Sequence, residues 1–150
     1  MKVPPVAGTR FFPVNRGEME ERGWAELDFL FVSGDAYVDH PAFGTAVIAR
    51  VLEAAGFRVG ILAQPDWRSR DAFLSMGRPR YAVLVSAGNL DSMLNKLTAS
   101  KKSRSTDSYS PGGQAGMRPD RATIAYCSRV KECWKDLPVI IGGVEASLRR

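Results

Sequence analysis

At 150 residues the chain suits one domain with a single core. Apolar residues make up 45% and charged residues 25%, a globular balance that excludes general disorder. No apolar run approaches the roughly 20 residues that a membrane-spanning helix needs, and the opening MKVPPVAGTRFFPVNRGEME lacks the apolar stretch of a secretion signal; a cytoplasmic protein without a membrane partner is expected. The net charge is +5, and most of it lies between Lys96 and Arg121, where six basic residues face two acidic ones.

In chain order, Gly17 to Trp24 reads as a short helix with glutamates in its first turns. Leu27 to Val32 is a first strand, ending in Ser33-Gly34-Asp35. Pro41 is placed to open a helix, in which Phe43, Val47, Val51 and Ala54 form the apolar stripe and Gly56 follows the end. Phe57 to Leu62 is a second strand, Ser69 to Met76 a short helix, and Tyr81 to Val85 a third strand closed by Ser86-Ala87-Gly88-Asn89. Asp91 to Leu97 begins another helix. The stretch from Thr98 to Arg118 has neither period, and a loop of that length inside a compact domain is a functional or a disordered segment. A helix resumes from Arg121 to Lys135. Pro138 to Ile141 is a fourth strand ending in Gly142-Gly143, and Ala146-Ser147-Leu148 starts one more helix.

Every strand is an apolar run with no two-residue alternation, which marks parallel strands covered on both faces. The expected fold is therefore α/β: a doubly wound, flavodoxin-like or cobalamin-binding-domain-like open parallel sheet of about four strands, in the order 2-1-3-4, with helices on both faces.

In such sheets ligands bind beyond the carboxyl ends of the strands, where the order reverses. Three strand ends carry glycine beside polar or acidic residues, so the candidate crevice comprises Gly34, Asp35, Asp39, His40, Gly88, Asn89, Asp91, Gly142, Gly143 and Glu145. Asp35, His40, Asn89 and Glu145 are the expected polar contacts. Lys101, Lys102, Arg104, Arg118, Arg121, Arg149 and Arg150 form a candidate contact for an anion, an RNA or a neighbouring core. No Walker loop, G-x-G-x-x-G fingerprint or G-x-S-x-G elbow is present, so no catalytic residue is assigned. Cys127 and Cys133 lie six residues apart, about 240° around a helix, and read as reduced structural thiols; no metal site is assigned.

Several strings carry a resemblance. They are Gly34-Asp35-Ala36-Tyr37-Val38-Asp39-His40-Pro41, Gly56-Phe57-Arg58-Val59-Gly60-Ile61 with Gln64-Pro65-Asp66-Trp67, and Ala87-Gly88-Asn89 with Asp91-Ser92-Met93. Arg118-Pro119-Asp120-Arg121-Ala122-Thr123 and the run from Gly142 to Arg150 complete the set. In this order they are similar to the N-terminal region of the YgiQ-type radical S-adenosylmethionine (SAM) proteins, from Phe12 to Arg150.

The resemblance implies a single N-terminal accessory domain over 1–150, with a long basic loop at 98–120 and a radical SAM core expected beyond residue 150. That core would hold a 4Fe-4S cluster on a CxxxCxxC motif and cleave SAM to a radical; it is the expected partner, with an unknown substrate for which an anion is one candidate. The present residues hold neither group and are not expected to catalyse alone. A fainter likeness concerns cobalamin-binding domains with a D-x-H-x-x-G loop. In Asp39-His40-Pro41-Ala42-Phe43-Gly44 the histidine adjoins the aspartate and one residue too many precedes the glycine, so cobalamin is the lesser expectation. A stand-alone module for a nucleotide, flavin or cobalamin, or an RNA contact through the basic loop, are the competing readings.

Overall fold

The structure is a computed structural model and describes residues 10–148. Four strands, β1 (Phe29–Ser33), β2 (Val59–Ala63), β3 (Ala82–Ser86) and β4 (Val139–Gly142), pair in parallel in the order β2-β1-β3-β4. The expected doubly wound sheet and its strand order are therefore present, each strand lying within one or two residues of its apolar run.

Register explains the two cores. Leu30, Val32, Val83 and Val85 point to one face, where they pack with Phe73 of α3 (Asp71–Leu74) and with Tyr126 and Val130 of α5 (Ala122–Cys133). Met19 of α1 (Arg16–Glu21) closes the same cluster. Phe31, Ile61 and Leu84 point to the opposite face, against Ala49 of α2 (Gly44–Ala54) and Phe12. Helices thus cover both faces of β1 and β3, which is what strands of continuous apolar residues require, whereas Ile140 and Ile141 of β4 stay exposed.

Helix α2 departs from the expectation in two ways. It begins at Gly44, because Pro41 is the second residue of a turn closed by the Phe43 amide on the His40 carbonyl at 2.9 Å. Its buried face is Ala46 and Ala49, whereas Val47 and Val51 are 43% and 63% exposed. Small side chains let the helix sit close over Phe31, and the aromatic residues of the sheet supply the bulk. Arg50 fixes the helix laterally: it bonds Asp39, pairs with Glu53 at 2.7 Å, and stands 4.3 Å from the Phe12 ring centre.

Residues 98–120 are an ordered cover over the strand ends. Two isolated bridges (Leu97 with Ser103, Thr106 with Gln114) and a 3-10 turn at Pro111–Gly113 shape the segment. The Ala36 amide donates to the Tyr109 carbonyl at 2.8 Å, which ties the segment down just past β1. At the other margin of the sheet, the Ile61 amide donates to the Pro13 carbonyl at 2.9 Å. Two short helices complete the chain, α4 (Ser92–Lys96) and α6 (Val144–Leu148). Among the described residues no helix is long and apolar enough to cross a membrane.

Candidate functional site

The order reverses between β1 and β3, and the chain's own side chains fill that point. Asp35, just past β1, is 2% exposed. Its Oδ2 accepts from the Asn89 amide at 2.7 Å and its Oδ1 from Arg118 Nη2 at 2.7 Å. Arg118 also donates through Nη1 to the Ala87 carbonyl at 2.6 Å and through Nη2 to Asp107 Oδ2 at 3.4 Å. Gln64, past β2 with φ 45°, donates to the Gly34 carbonyl at 2.9 Å and to Ser110 Oγ at 2.7 Å. One guanidinium and one carboxamide, both buried, thereby fasten the 98–120 cover to the ends of β1, β2 and β3.

The glycines at these ends serve the same clasp. Gly88 has φ 106°, and a Cβ there would fall on the Asp35 carboxylate. A Cβ on Gly34 would fall on the Ala87 carbonyl oxygen. Close approach of protein to protein is thus what these two positions demand. Burial pushes the Asp35 carboxyl up, against the Asn89 amide and the Arg118 guanidinium that favour its charged form. Asp107 sits below its ordinary value: burial opposes ionisation, but the Tyr109 amide, Asn95 and Arg118 outweigh it.

A second buried carboxylate joins helix ends. Glu145 of α6 is 1% exposed; it accepts from the Ser92 amide at 2.7 Å, from the Ser92 hydroxyl, and from the Thr123 amide at 3.0 Å. The Ser92 hydroxyl accepts in turn from the Ala122 amide at 3.2 Å. Glu145 therefore caps the N-termini of α4 and α5 together, a favourable place for negative charge. Asp91 caps α4 in the ordinary way, accepting from the Met93 and Leu94 amides at 2.9 and 3.3 Å.

The remaining crevice residues divide into two places. Gly88, Asn89, Gly142 and Gly143 line a groove of about 380 Å³ between α2 and β4, whose apolar wall is Ile48, Ile140, Ile141 and Val144. Asp39 and His40 lie outside it, at the outer side of α2. Asp39 is held by Arg50, and exposed His40 accepts from the Ala42 amide through Nδ1 at 3.1 Å. Of the basic residues, Lys101, Lys102, Arg104 and Arg121 are exposed, Arg118 is buried in the clasp, and Arg149 and Arg150 lie outside the described residues.

Sequence reading missed Gln64, Asp107, Ser110 and Ser92. Gln64 precedes Pro65 at a strand end without glycine, and only glycine-bearing ends were drawn into the crevice. Asp107 is an acid inside a basic run, and such a residue is a candidate internal counter-charge.

The residues present do not fit an iron–sulfur cluster. A three-thiolate site needs a third cysteine, whereas Cys127 and Cys133 are two positions on α5. Burial pushes both thiols up, away from the thiolate form a metal requires. Among the described residues no group of three histidine, cysteine, aspartate or glutamate side chains is placed to hold a metal ion.

Comparison with known proteins agrees with the resemblance. The chain is 60% identical over 140 residues to a UPF0313 protein of Shewanella oneidensis, covering 93% of this chain and 18% of that protein. It is 58% identical over the same length to a UPF0313 protein of Clostridium botulinum and to the UPF0313 protein YgiQ of Salmonella typhimurium, covering 22% and 19% of them. The chain thus spans about a fifth of the length of the curated relatives it matches. No solved structure matches it. Residues 11–150 match the family described as Radical SAM N-terminal, so the chain belongs to that family.

Proposed function

We propose that this domain is the non-catalytic N-terminal part of a radical SAM iron–sulfur enzyme, and that its groove between α2 and β4 receives the radical SAM core of the same polypeptide. The observation that carries this reading is the state of β4. Ile140 shares the face of Phe31 and Leu84, Ile141 the face of Val32 and Val85, and the two are 55% and 54% exposed. A parallel strand is stable when both of its faces are covered, and an apolar wall that also includes Ile48 at 46% exposure and Val144 at 48% marks a contact surface. The length of the relatives supports a covering element from the same polypeptide.

In this reading the cluster and SAM belong to the core, and these residues perform no step on them. Gly88, Asn89, Gly142 and Gly143 sit at the lip of the groove and present backbone to the core or to a substrate held against it. The buried clasp beneath keeps that lip rigid, which a positioned radical reaction requires.

The test uses the longer gene product, expressed anaerobically with iron. The expected result is a brown 4Fe-4S protein that cleaves SAM to 5′-deoxyadenosine, and whose Ile140→Glu variant keeps its cluster but loses turnover and becomes sensitive to proteolysis between the two parts. A product lacking both cluster absorbance and SAM cleavage overturns the reading; full turnover in the variant overturns the docking.

A further inference from the structure

The outer edge of β4 carries unpaired backbone. The Val83 amide donates to the Pro138 carbonyl at 3.0 Å, and backbone N–H and C=O groups turn to opposite sides from one strand residue to the next. Ile140 and Gly142 therefore face β3, while the N–H and C=O of Val139 and Ile141 point away from the sheet; among the described residues β4 pairs with β3 alone. Folded proteins guard such edges with charges, prolines or bulges. Val139-Ile140-Ile141 holds neither a charge nor a proline, and its two isoleucines are 55% and 54% exposed. We infer that this edge takes a fifth parallel strand, supplied by the polypeptide that follows α6.

The direction of the chain selects this occupant over a second copy or a distant element. The connection from β3 to β4 runs through α5, on the face of Val83 and Val85. Helix α2 takes the chain the opposite way, from β1 to β2, and lies on the other face. Opposite faces for opposite directions are what a single handedness of crossover produces. Helix α6 leaves the end of β4 on the α5 face, because Glu145 reaches the amides of Ser92 and Thr123 at the starts of α4 and α5. A crossover of the same hand beginning there carries the chain one position further outward, to the free edge. The helix it runs through covers Ile141, which shares the face of Val85.

The inference deepens the docking reading and rests on it in one respect, that more of the polypeptide follows; relatives of which this region is about a fifth support that. It names the part that first meets β4, a segment within roughly 30 residues of α6, the span of one strand–helix–strand unit. Ile48 and Ile140, on the α2 side, stay open to the core.

The test is residue-resolved hydrogen exchange on the longer gene product at two protein concentrations, for the parent and for Ile141→Pro. The expected result is an Ile141 amide slowed by about a hundredfold or more relative to an unprotected one, at both concentrations, with a protected stretch shortly after α6. Ile141→Pro removes an outward donor and no bond to β3, so it releases that stretch to exchange and to protease while β3 stays protected. A freely exchanging Ile141 beside a protected Ile140 overturns the inference in favour of a solvated edge. Protection confined to the higher concentration, in a dimer, overturns it in favour of a second copy. A protected Ile141 without a protected stretch near α6 overturns it in favour of a distant segment. Should Ile141→Pro unfold the domain, the parent's exchange pattern decides alone. Cluster absorbance and SAM cleavage in the same preparation report on the radical SAM reading separately: a paired edge in a protein lacking both sinks that reading and leaves the strand standing.

Discussion

Arg118 and Asp35 are 83 positions apart in sequence, yet Nη2 of one lies 2.7 Å from Oδ1 of the other, with each side chain 4% exposed. The same guanidinium holds the Ala87 carbonyl and Asp107, so one buried side chain fastens the 98–120 segment both to the sheet and to itself.

Removing one partner of a buried ion pair strands the other. Arg118→Ala is expected to cost about 3–5 kcal/mol, because Asp35 keeps only its Asn89 amide and Asp107 loses a counter-charge. Urea unfolding measures the loss. Trypsin measures its locality: cleavage after Lys101, Lys102 and Arg104 should accelerate before the sheet is attacked.

Gly88 and Gly44 make opposite predictions from one substitution. Gly88→Ala places a methyl on the Asp35 carboxylate at a left-handed φ of 106°, and a drop of several degrees or more in melting temperature is expected. Gly44 has open space around it and lies in the first turn of α2, so Gly44→Ala is expected to be neutral or to stabilise by about 0.5–1 kcal/mol. Comparable losses in both variants would count against the clasp.

Glu145→Ala leaves the amides of Ser92 and Thr123 and the Ser92 hydroxyl buried without their acceptor. About 2–4 kcal/mol of destabilisation is expected from buried donors left unpaired. Hydrogen exchange should show α4 and the first turn of α5 opening together, since one carboxylate caps both.

Asp28 supplies a pH dependence. Its hydrogen bonds to Arg58, at 2.8 Å from the amide and 3.0 Å from the guanidinium, hold its carboxyl below the usual value. A carboxyl lowered in the native state stabilises at pH above its unfolded pKa of about 4, and the contribution is lost as pH falls through the native value. Melting temperature should therefore decline on acidification more steeply in the parent than in Asp28→Asn; parallel declines would remove the assignment.

The sheet was legible because parallel strands buried on both faces announce themselves: Leu30-Phe31-Val32, Ile61-Leu62 and Val83-Leu84-Val85 are short apolar runs, each followed closely by turn residues. Helix α2 was legible in extent but not in orientation. Its valines advertised a core stripe, while the alanines that meet the sheet carry little signal of their own. The clasp was illegible for a different reason. Arg118 stands in a basic, aperiodic stretch, and its two acids lie 83 and 11 positions away, so no local pattern pairs them. Asp35, Gly88 and Asn89 meet at one place, around an arginine of the chain itself, and nothing local in the sequence names that arginine.

The contact between Ile61 and Pro13 has a consequence for the shape of any larger assembly. Proline accepts through its carbonyl and has no amide hydrogen to offer in return, so the contact is a single bond to β2 and not a reciprocal pair. The two edges of the sheet therefore differ: among the described residues β2 carries this tether from the N-terminal side of the chain, whereas β4 pairs with β3 alone.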